Sequence, residues 1–259
     1  MRYKIFLVVL LISLIFSCSK KEEAAVEEPS APVIVELPAT IIDEVSFRTE
    51  PEIRNDTKIF NLERGVKATF LGITQEATEK DNKDYGVDEW SKIKIQGGQI
   101  GWVTTTRLAL ESDSGVFIDD PEVFQFPGAA SPIKVSAADE KLFQAFSVAL
   151  KGKPKEEVAG WTMVIGRTLA NTFWVKDELI SYRQEDMVTA ANIRPEFEKL
   201  NNAMNLDDLS GLEALLEDDQ LNNQSKTIMT KAVDKYNQAV KQIRERQNVD
   251  AETSELMNM

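Results

Sequence analysis

The stretch that decides the fold of this chain is Lys92-Ile93-Lys94-Ile95-Gln96-Gly97-Gly98-Gln99-Ile100-Gly101-Trp102-Val103. Two runs in which apolar residues recur at every second position flank the pair Gly97-Gly98. Glycine readily adopts the positive φ that a two-residue hairpin turn requires. The pattern therefore predicts a tight β-hairpin.

The pairing within this hairpin follows from the position of its turn. If the two glycines alone form the loop, Ile95 pairs with Ile100 and Ile93 pairs with Trp102. Successive side chains on a strand point to opposite faces, so these four share one face, which we expect to be the core. Trp90 has the opposite parity and is expected to point away from that core.

Four short motifs occur in order around the hairpin, over residues 43–110. They are Arg48-Thr49-Glu50-Pro51, Leu62-Glu63-Arg64-Gly65, Trp90-Ser91-Lys92-Ile93 and Gly101-Trp102-Val103. Their order and spacing resemble bacterial SH3 domains, which repeat an R-x-x-P element, an L-x-x-G turn, a W-x-x-[VI] strand and a final G-W-V. The resemblance implies a small SH3-like β-barrel over residues 44–110.

The same resemblance implies a ligand: peptidoglycan, its stem peptide, or an extended segment of a partner protein. In such barrels the tryptophan that opens the W-x-x-[VI] strand can line the ligand groove, which points to Trp90, with Tyr85 next to it in sequence. The chain departs from the family at residues 75–89, where a longer acidic insert replaces a short loop. Two interpretations stay open: Trp90 and Tyr85 bind the ligand, or the insert or the following connector covers Trp90.

The second half of the chain shows apolar residues at helical spacing. The clearest series is Val158, Trp161, Ile165 and Leu169, which would lie on one face of a helix. We therefore expect an α-helical domain over residues 136–247, with Trp161 and Trp174 in its core. No known family is identified for this part.

The first residues have the layout of a secretory signal. Arg2 and Lys4 precede a short apolar run that is too short to span a bilayer, which takes about 20 apolar residues. The run ends in Leu14-Ile15-Phe16-Ser17-Cys18, which resembles the lipobox of bacterial lipoproteins, with a bulky Phe16 as in spirochaete sequences. We expect lipidation at Cys18, with palmitate among the acyl chains, and hence a membrane anchor in the bacterial cell envelope that faces the periplasm.

The predicted fold class is α+β and multi-domain, with an SH3-like barrel followed by an all-α domain. Its predicted segments are a signal peptide (1–17), a flexible tether (18–43), the barrel (44–110), a connector (111–135), the helical domain (136–247) and a disordered tail (248–259).

Absent residues exclude much chemistry. The chain has no histidine, and its one cysteine is Cys18, so thiol nucleophiles, Ser-His-Asp triads and histidine-bearing zinc sites have no candidates. No phosphate-binding glycine motif occurs, and a net charge of −13 disfavours nucleic acid as a partner. We predict no catalytic residues, no metal and no cofactor.

The sequence therefore favours a non-catalytic lipoprotein that binds cell-wall peptide or peptidoglycan, or an envelope protein, through its SH3-like module. A structural or assembly subunit that docks into an envelope complex through its helical domain is the second hypothesis. A wall hydrolase that uses a pair of carboxylates is the third, because only spatial separation identifies such a pair.

Overall fold

The computed structural model describes residues 36–200 and 202–257. In this part of the chain twelve strands are followed by most of the helices. The strands are β1 (Leu37–Ile41), β2 (Val45–Arg48), β3 (Lys58–Leu62), β4 (Lys67–Glu76), β5 (Glu89–Ile95), β6 (Ile100–Thr104), β7 (Leu108–Leu110), β8 (Asp113–Phe117), β9 (Val148–Lys151), β10 (Trp161–Ile165), β11 (Thr172–Lys176) and β12 (Ile180–Ser181). The helices are α1 (Glu79–Tyr85), α2 (Ala137–Glu140), α3 (Gln184–Leu200), α4 (Ser210–Leu216), α5 (Asp219–Gln224) and α6 (Lys226–Met257).

The strands form two antiparallel sheets. The first sheet has the order β3-β2-β6-β5-β4-β1-β7, and the second has the order β11-β10-β9-β8-β12. When β2 and β3 are set aside, the two orders are identical, with β1, β4, β5, β6 and β7 matching β8 through β12. The chain thus contains one five-strand arrangement twice. The first copy inserts the β2–β3 hairpin after its first strand, and the second copy inserts residues 118–147 at the same point.

The two copies also end alike. A 3₁₀ turn, Thr105–Arg107 or Asp177–Leu179, joins the last two strands of each copy. The residue before the turn has φ −67° and ψ 132° at Thr104, and φ −70° and ψ 134° at Lys176. Counting from these residues matches the buried core positions Val103 with Val175 and Leu108 with Ile180, and the strand pairing matches Ile93 with Val164.

The predicted fold class is wrong in both halves. Among the described residues neither sheet closes on itself, because β3 and β7 are the edges of the first and β11 and β12 the edges of the second. Strands β9–β12 occupy the region predicted to be helical. Trp161 and Ile165 are four residues apart, so they share a face on a strand as well as on a helix. Short apolar runs of this kind do not distinguish the two structures.

Three predicted boundaries differ from the observed elements. The tether predicted over residues 18–43 contains β1, which pairs with β4 and β7 in the first sheet and whose residues Ala39 and Ile41 are buried. The connector predicted over residues 111–135 begins with β8, the first strand of the second sheet. The tail predicted over residues 248–259 continues α6 as far as Met257.

The hairpin of β5 and β6, around Gly97 and Gly98, has a register one residue away from the predicted one. Gln96 joins the two glycines in the turn, and the Ile95 N–H donates to the Gln99 carbonyl over 3.0 Å. As a result Lys92, not Ile93, lies opposite Trp102. A one-residue slip moves every side chain to the other face. Trp102 therefore shares the face of Trp90, and its predicted place in the main core with Ile93 is wrong.

Helices α3 to α6 pack on the second sheet. Buried side chains of these helices contact Val116 and Phe146. The helical side chains are Ala190, Ile193, Leu221, Ile228, Met229 and Ala232. The hydroxyls of Ser181 and Ser225 both donate to the carboxylate of Asp186, which is 2% exposed, so one buried acid ties the sheet, α3 and the start of α6 together. No helix in the described ranges has the length and apolarity needed to cross a membrane.

Arg64 joins the two sheets. Its Nη1 donates to the carbonyl of Ile42 in the first copy and, over 2.8 Å, to that of Gly166 in the second. Its Nη2 donates to the carbonyl of Ile165 over 2.5 Å. Burial lowers the pKa of Arg64 to about 10, against the opposing effect of nearby Asp43. The guanidinium remains charged at neutral pH and holds backbone groups of both sheets at once.

An apolar contact surrounds this clamp. Ile42 and Ala109 of the first copy pack against Leu150 and Ile165 of the second, and all four are buried. Since the carbonyls held by Arg64 adjoin this contact, the guanidinium fixes the relative position of the two sheets.

Replacing Arg64 should destabilise the whole chain. Arg64→Met keeps an unbranched apolar stem but leaves buried carbonyls without donors, which we expect to cost about 2–4 kcal/mol of unfolding free energy. Urea unfolding followed by tryptophan fluorescence measures this change. The control is Arg54→Met, because Arg54 pairs with Glu50 at the surface and should cost at most about 1 kcal/mol. Equal effects of the two variants would show that Arg64 is not a structural clamp.

A second polar contact fastens α6 to the segment after β8. Lys231 and Lys235 each place Nζ 2.9 Å from the Asp119 carboxylate. Burial would by itself raise the pKa of Asp119, but the hydrogen bonds from these lysines outweigh it and lower the pKa to about 2. An unfolded aspartate titrates near pH 3.9. The contact of Asp119 with the two lysines therefore stabilises the fold above about pH 4, and this stabilisation is lost as the pH falls towards 2.

The variant Asp119→Asn should be less stable than the native chain by about 1 kcal/mol at pH 7, a value reduced for partial solvent screening. The difference should shrink between pH 4 and pH 2, which urea midpoints at several pH values measure. Asp56→Asn is the control, because the Asp56 side chain is 75% exposed. A gap that stays constant down to pH 2 would contradict the assignment.

Candidate functional site

The outer face of the second sheet carries a patch of aromatic side chains. Strands β10 and β11 pair so that Trp161 lies opposite Lys176 and Met163 lies opposite Trp174. These four side chains share one face, because side chains alternate along each strand. The other face of the same strands carries Val164 and Val175, which are buried in the core. Strand alternation thus places both tryptophans outside the core.

The residues of this face, which we call the open face, contact one another closely. Phe124 pairs with Trp174 through two backbone hydrogen bonds of 2.8 Å and so extends the sheet beyond β11. The Phe124 ring meets the Trp161 ring edge to face, with 5.0 Å between centroids. The Lys176 Nζ lies 3.8 Å from the centre of the Trp161 ring, a cation–π contact. Trp161 and Trp174 are half-buried and Lys176 is exposed.

The open face has an equivalent in the first copy. Trp102 and Trp174 each lie three residues before the 3₁₀ turn of their copy, and each pairs across to the neighbouring strand. Trp90 lies opposite Thr104, just as Trp161 lies opposite Lys176. The pair Trp90 and Trp102 is therefore equivalent to the pair Trp161 and Trp174.

This equivalent face, which we call the covered face, lies beneath the acidic insert. Trp90 is 1% exposed and Trp102 is 9% exposed. They pack with Val87 and Ala77, which flank α1. Residues at both ends of the insert thus contact Trp90, which is closed off from solvent, whereas Tyr85 has 58% of its surface exposed. Trp90 and Tyr85 therefore do not both lie at the surface in this structure.

Helix α1 is held by its own caps and by one buried acid. The Thr78 hydroxyl accepts from the Asp81 N–H at its start, and Gly86 ends it in the left-handed conformation at φ 66°. The Asp81 carboxylate accepts from the Ile53 N–H over 3.2 Å and is 1% exposed. Burial lowers the pKa of neighbouring Arg48, and the charge of Asp81 partly offsets this effect.

A cleft of about 780 Å³ lies between the two sheets and α3. Its carboxylates include Asp43, which pairs with Arg107 over 2.7 Å, and Glu198, which pairs with Arg194 over 2.8 Å. Both carboxylates are thus engaged by arginine side chains, whereas glycoside hydrolysis needs two carboxyl groups that are free to act on the substrate. The cleft is therefore a weaker candidate for chemistry than the open face is for binding.

The residues within the described ranges include no cluster of three or more metal-binding side chains. Cys18, the predicted lipidation site, lies outside the described residues. What the open face offers is a rigid apolar platform with one positive charge, which suits recognition of an extended segment.

Sequence reasoning assigned Trp161 and Trp174 to a helical core and so missed them. A signal was present: Trp161-Thr162-Met163-Val164 repeats the W-x-x-[VI] pattern of Trp90-Ser91-Lys92-Ile93. In each case a Trp-Val pair follows, at Trp102-Val103 and at Trp174-Val175. Matching the second half of the chain against the first would have indicated a repeated unit.

Comparison with known proteins does not assign a family. No family model matches the chain, and no curated protein matches it. Solved structures that it resembles include NlpC2 from Trichomonas vaginalis, at 10% identity and a TM-score of 0.23, over 64% of this chain and 56% of that one. NlpC1 from Trichomonas vaginalis gives the same identity and TM-score over 60% of this chain and 48% of that one. The chain thus spans about half the length of these proteins, and a likeness at this level assigns neither fold nor activity.

Proposed function

We propose that this chain is a non-catalytic binding protein, anchored to a membrane of the bacterial cell envelope through a lipid on Cys18, whose open face binds an extended cell-wall peptide. The observation that carries the proposal is the partial exposure of Trp161 and Trp174 at the positions where the first copy buries its own tryptophan pair. An extended segment of an envelope protein would use the same chemistry and is the alternative ligand.

The physical basis is the combination of flat rings and a fixed cation. Aromatic platforms bind extended peptides by burying apolar area at little entropic cost, since ring side chains have few rotamers to lose. Trp161 is held by Phe124 on its edge and by Lys176 on its face. Because the sheet and these contacts fix the rings before any ligand arrives, little ordering cost remains at binding.

The test of this proposal is sedimentation of the purified chain, without residues 1–18, with cell-wall sacculi. Trp161→Ala should weaken the association about tenfold or more, because truncating an aromatic anchor typically costs more than about 1.4 kcal/mol. Trp174→Ala should act in the same direction. Leu169→Ala is the matched control, because Leu169 is an exposed apolar residue in the turn between β10 and β11.

Unchanged sedimentation of Trp161→Ala would remove the open face as the binding site. The same preparations also test for catalysis, since a wall hydrolase would release soluble fragments from the sacculi. We expect none, because the chain has no histidine and its single cysteine is Cys18.

A second candidate function is a subunit of an envelope assembly that docks through the helices. Exposed apolar residues near the start of α4 favour it, with Met204 exposed by 76% and Leu206 by 37%. It predicts a stoichiometric protein partner that is lost on Met204→Asp, together with no association with sacculi.

A further inference from the structure

We propose that the covered face is a second binding site for the same class of extended peptide, and that α1 is a lid that closes it. This inference rests on the proposed function of the open face. It adds a site that is shut in the present conformation, and a segment, residues 78–87, whose movement would open it.

The two tryptophan pairs lie at equivalent positions of the two copies. Trp90 and Trp102 occupy the strand positions of Trp161 and Trp174, and both pairs face away from the main core of their copy. Each face also carries a lysine over a tryptophan ring. Lys92 Nζ lies 5.5 Å from the centre of the Trp102 ring in the first copy, and Lys176 Nζ lies 3.8 Å from the centre of the Trp161 ring in the second. The two lysines occupy different strand positions, but each face combines a tryptophan pair with one lysine.

The covered face contains a hydrogen-bond donor, on Trp90, that has no acceptor in the described part of the chain. The indole Nε1 of Trp90 is buried and has no hydrogen-bond partner among the described residues. Buried donors in native proteins are nearly always paired, so each exception needs an explanation. A peptide carbonyl that replaced the insert over this face would be an acceptor for Trp90. The closed state lacks this hydrogen bond, and a ligand would supply it.

The insert is closed at its base and its helix is capped from within. The Ala77 N–H donates to the Asp88 carbonyl over 2.9 Å, which closes the base of the insert. Helix α1 is capped by its own neighbours, Thr78 and Gly86, so it does not need the rest of the protein to form its ends. Its polar anchor to the β2–β3 loop is the contact between Asp81 and the Ile53 N–H. The insert is thus a closed unit that can move about its base as one piece.

The cover also indicates the chemistry of the ligand. The side chains that pack with the tryptophans at either end of the insert are aliphatic, namely Ala77 and Val87, and Ile73 of β4 and Ile53 of the β2–β3 loop pack there too. A replacement must bury similar groups and bring a carbonyl to the indole of Trp90. An extended peptide with small aliphatic side chains meets both requirements.

The test counts ligand sites by isothermal titration calorimetry, with soluble muropeptides released from purified wall by a muramidase. Asp81→Ala removes the anchor of the lid, and Asp84→Ala is the control, because Asp84 lies on the exposed side of the same helix. We expect one equivalent for the native chain and for Asp84→Ala, and two for Asp81→Ala. In the double variant Asp81→Ala with Trp161→Ala, one equivalent should remain, at the uncovered tryptophans.

The failures of the two proposals are distinguishable. Binding to the native chain that survives Trp161→Ala would overturn the proposed function. One equivalent for Asp81→Ala, while hydrogen exchange shows faster exchange in residues 78–87, would overturn the second site alone. If Asp81→Ala does not fold, Val87→Ala reduces the cover without removing a charge, and the same counts apply to it.

Discussion

The guanidinium of Arg64 is the constraint on which the arrangement of this molecule depends. It donates hydrogen bonds to backbone carbonyls of both copies, and within the described residues no carboxylate is in direct contact with it. Burying a charge in this way is costly unless its donors are used. Backbone carbonyls accept from Nη1 and Nη2, whereas Nε has no hydrogen-bond partner among the described residues. The apolar contact of Ile42 and Ala109 with Leu150 and Ile165 adds area around the same point. The two copies are therefore held at a fixed position, by contacts that include Ile165 of β10 and neither Trp161 nor Trp174.

The repeated strand order changes how the aromatic residues are understood. A single structural unit, used twice, gives two tryptophan pairs at equivalent positions, and the connections between strands decide which pair meets solvent. In the first copy the β4–β5 connection forms α1 and buries Trp90 and Trp102. In the second copy the β9–β10 connection forms no helix, and Trp161 and Trp174 stay half-buried. The connection between these strands, and not the order of strands in the sheet, thus decides whether the tryptophan pair is covered or open.

The sequence predicted some of this and missed the rest for identifiable reasons. Alternation around Gly97 and Gly98 correctly indicated a hairpin, but the part played by Gln96 in the turn is decided by backbone hydrogen bonds that composition does not reveal. The side of Trp90 was predictable from its parity, whereas its burial depends on an insert that folds over it. Residues 148–181 looked helical because Trp161 and Ile165 recur at a spacing that strands and helices share. Neither the inter-sheet role of Arg64 nor the place of Trp174 could follow from local patterns, because both depend on contacts far apart in the chain.

The central claim is that the second copy binds and the first is closed, and the four tryptophans report on it directly. Nitrogen-15 labelling of the indoles gives one NMR signal for each ring, and titration with soluble muropeptides shows which rings meet the ligand. The signals of Trp161 and Trp174 should shift, while those of Trp90 and Trp102 stay in place. Shifts confined to Trp90 and Trp102, or no shift in any of the four at saturating ligand, would contradict the account.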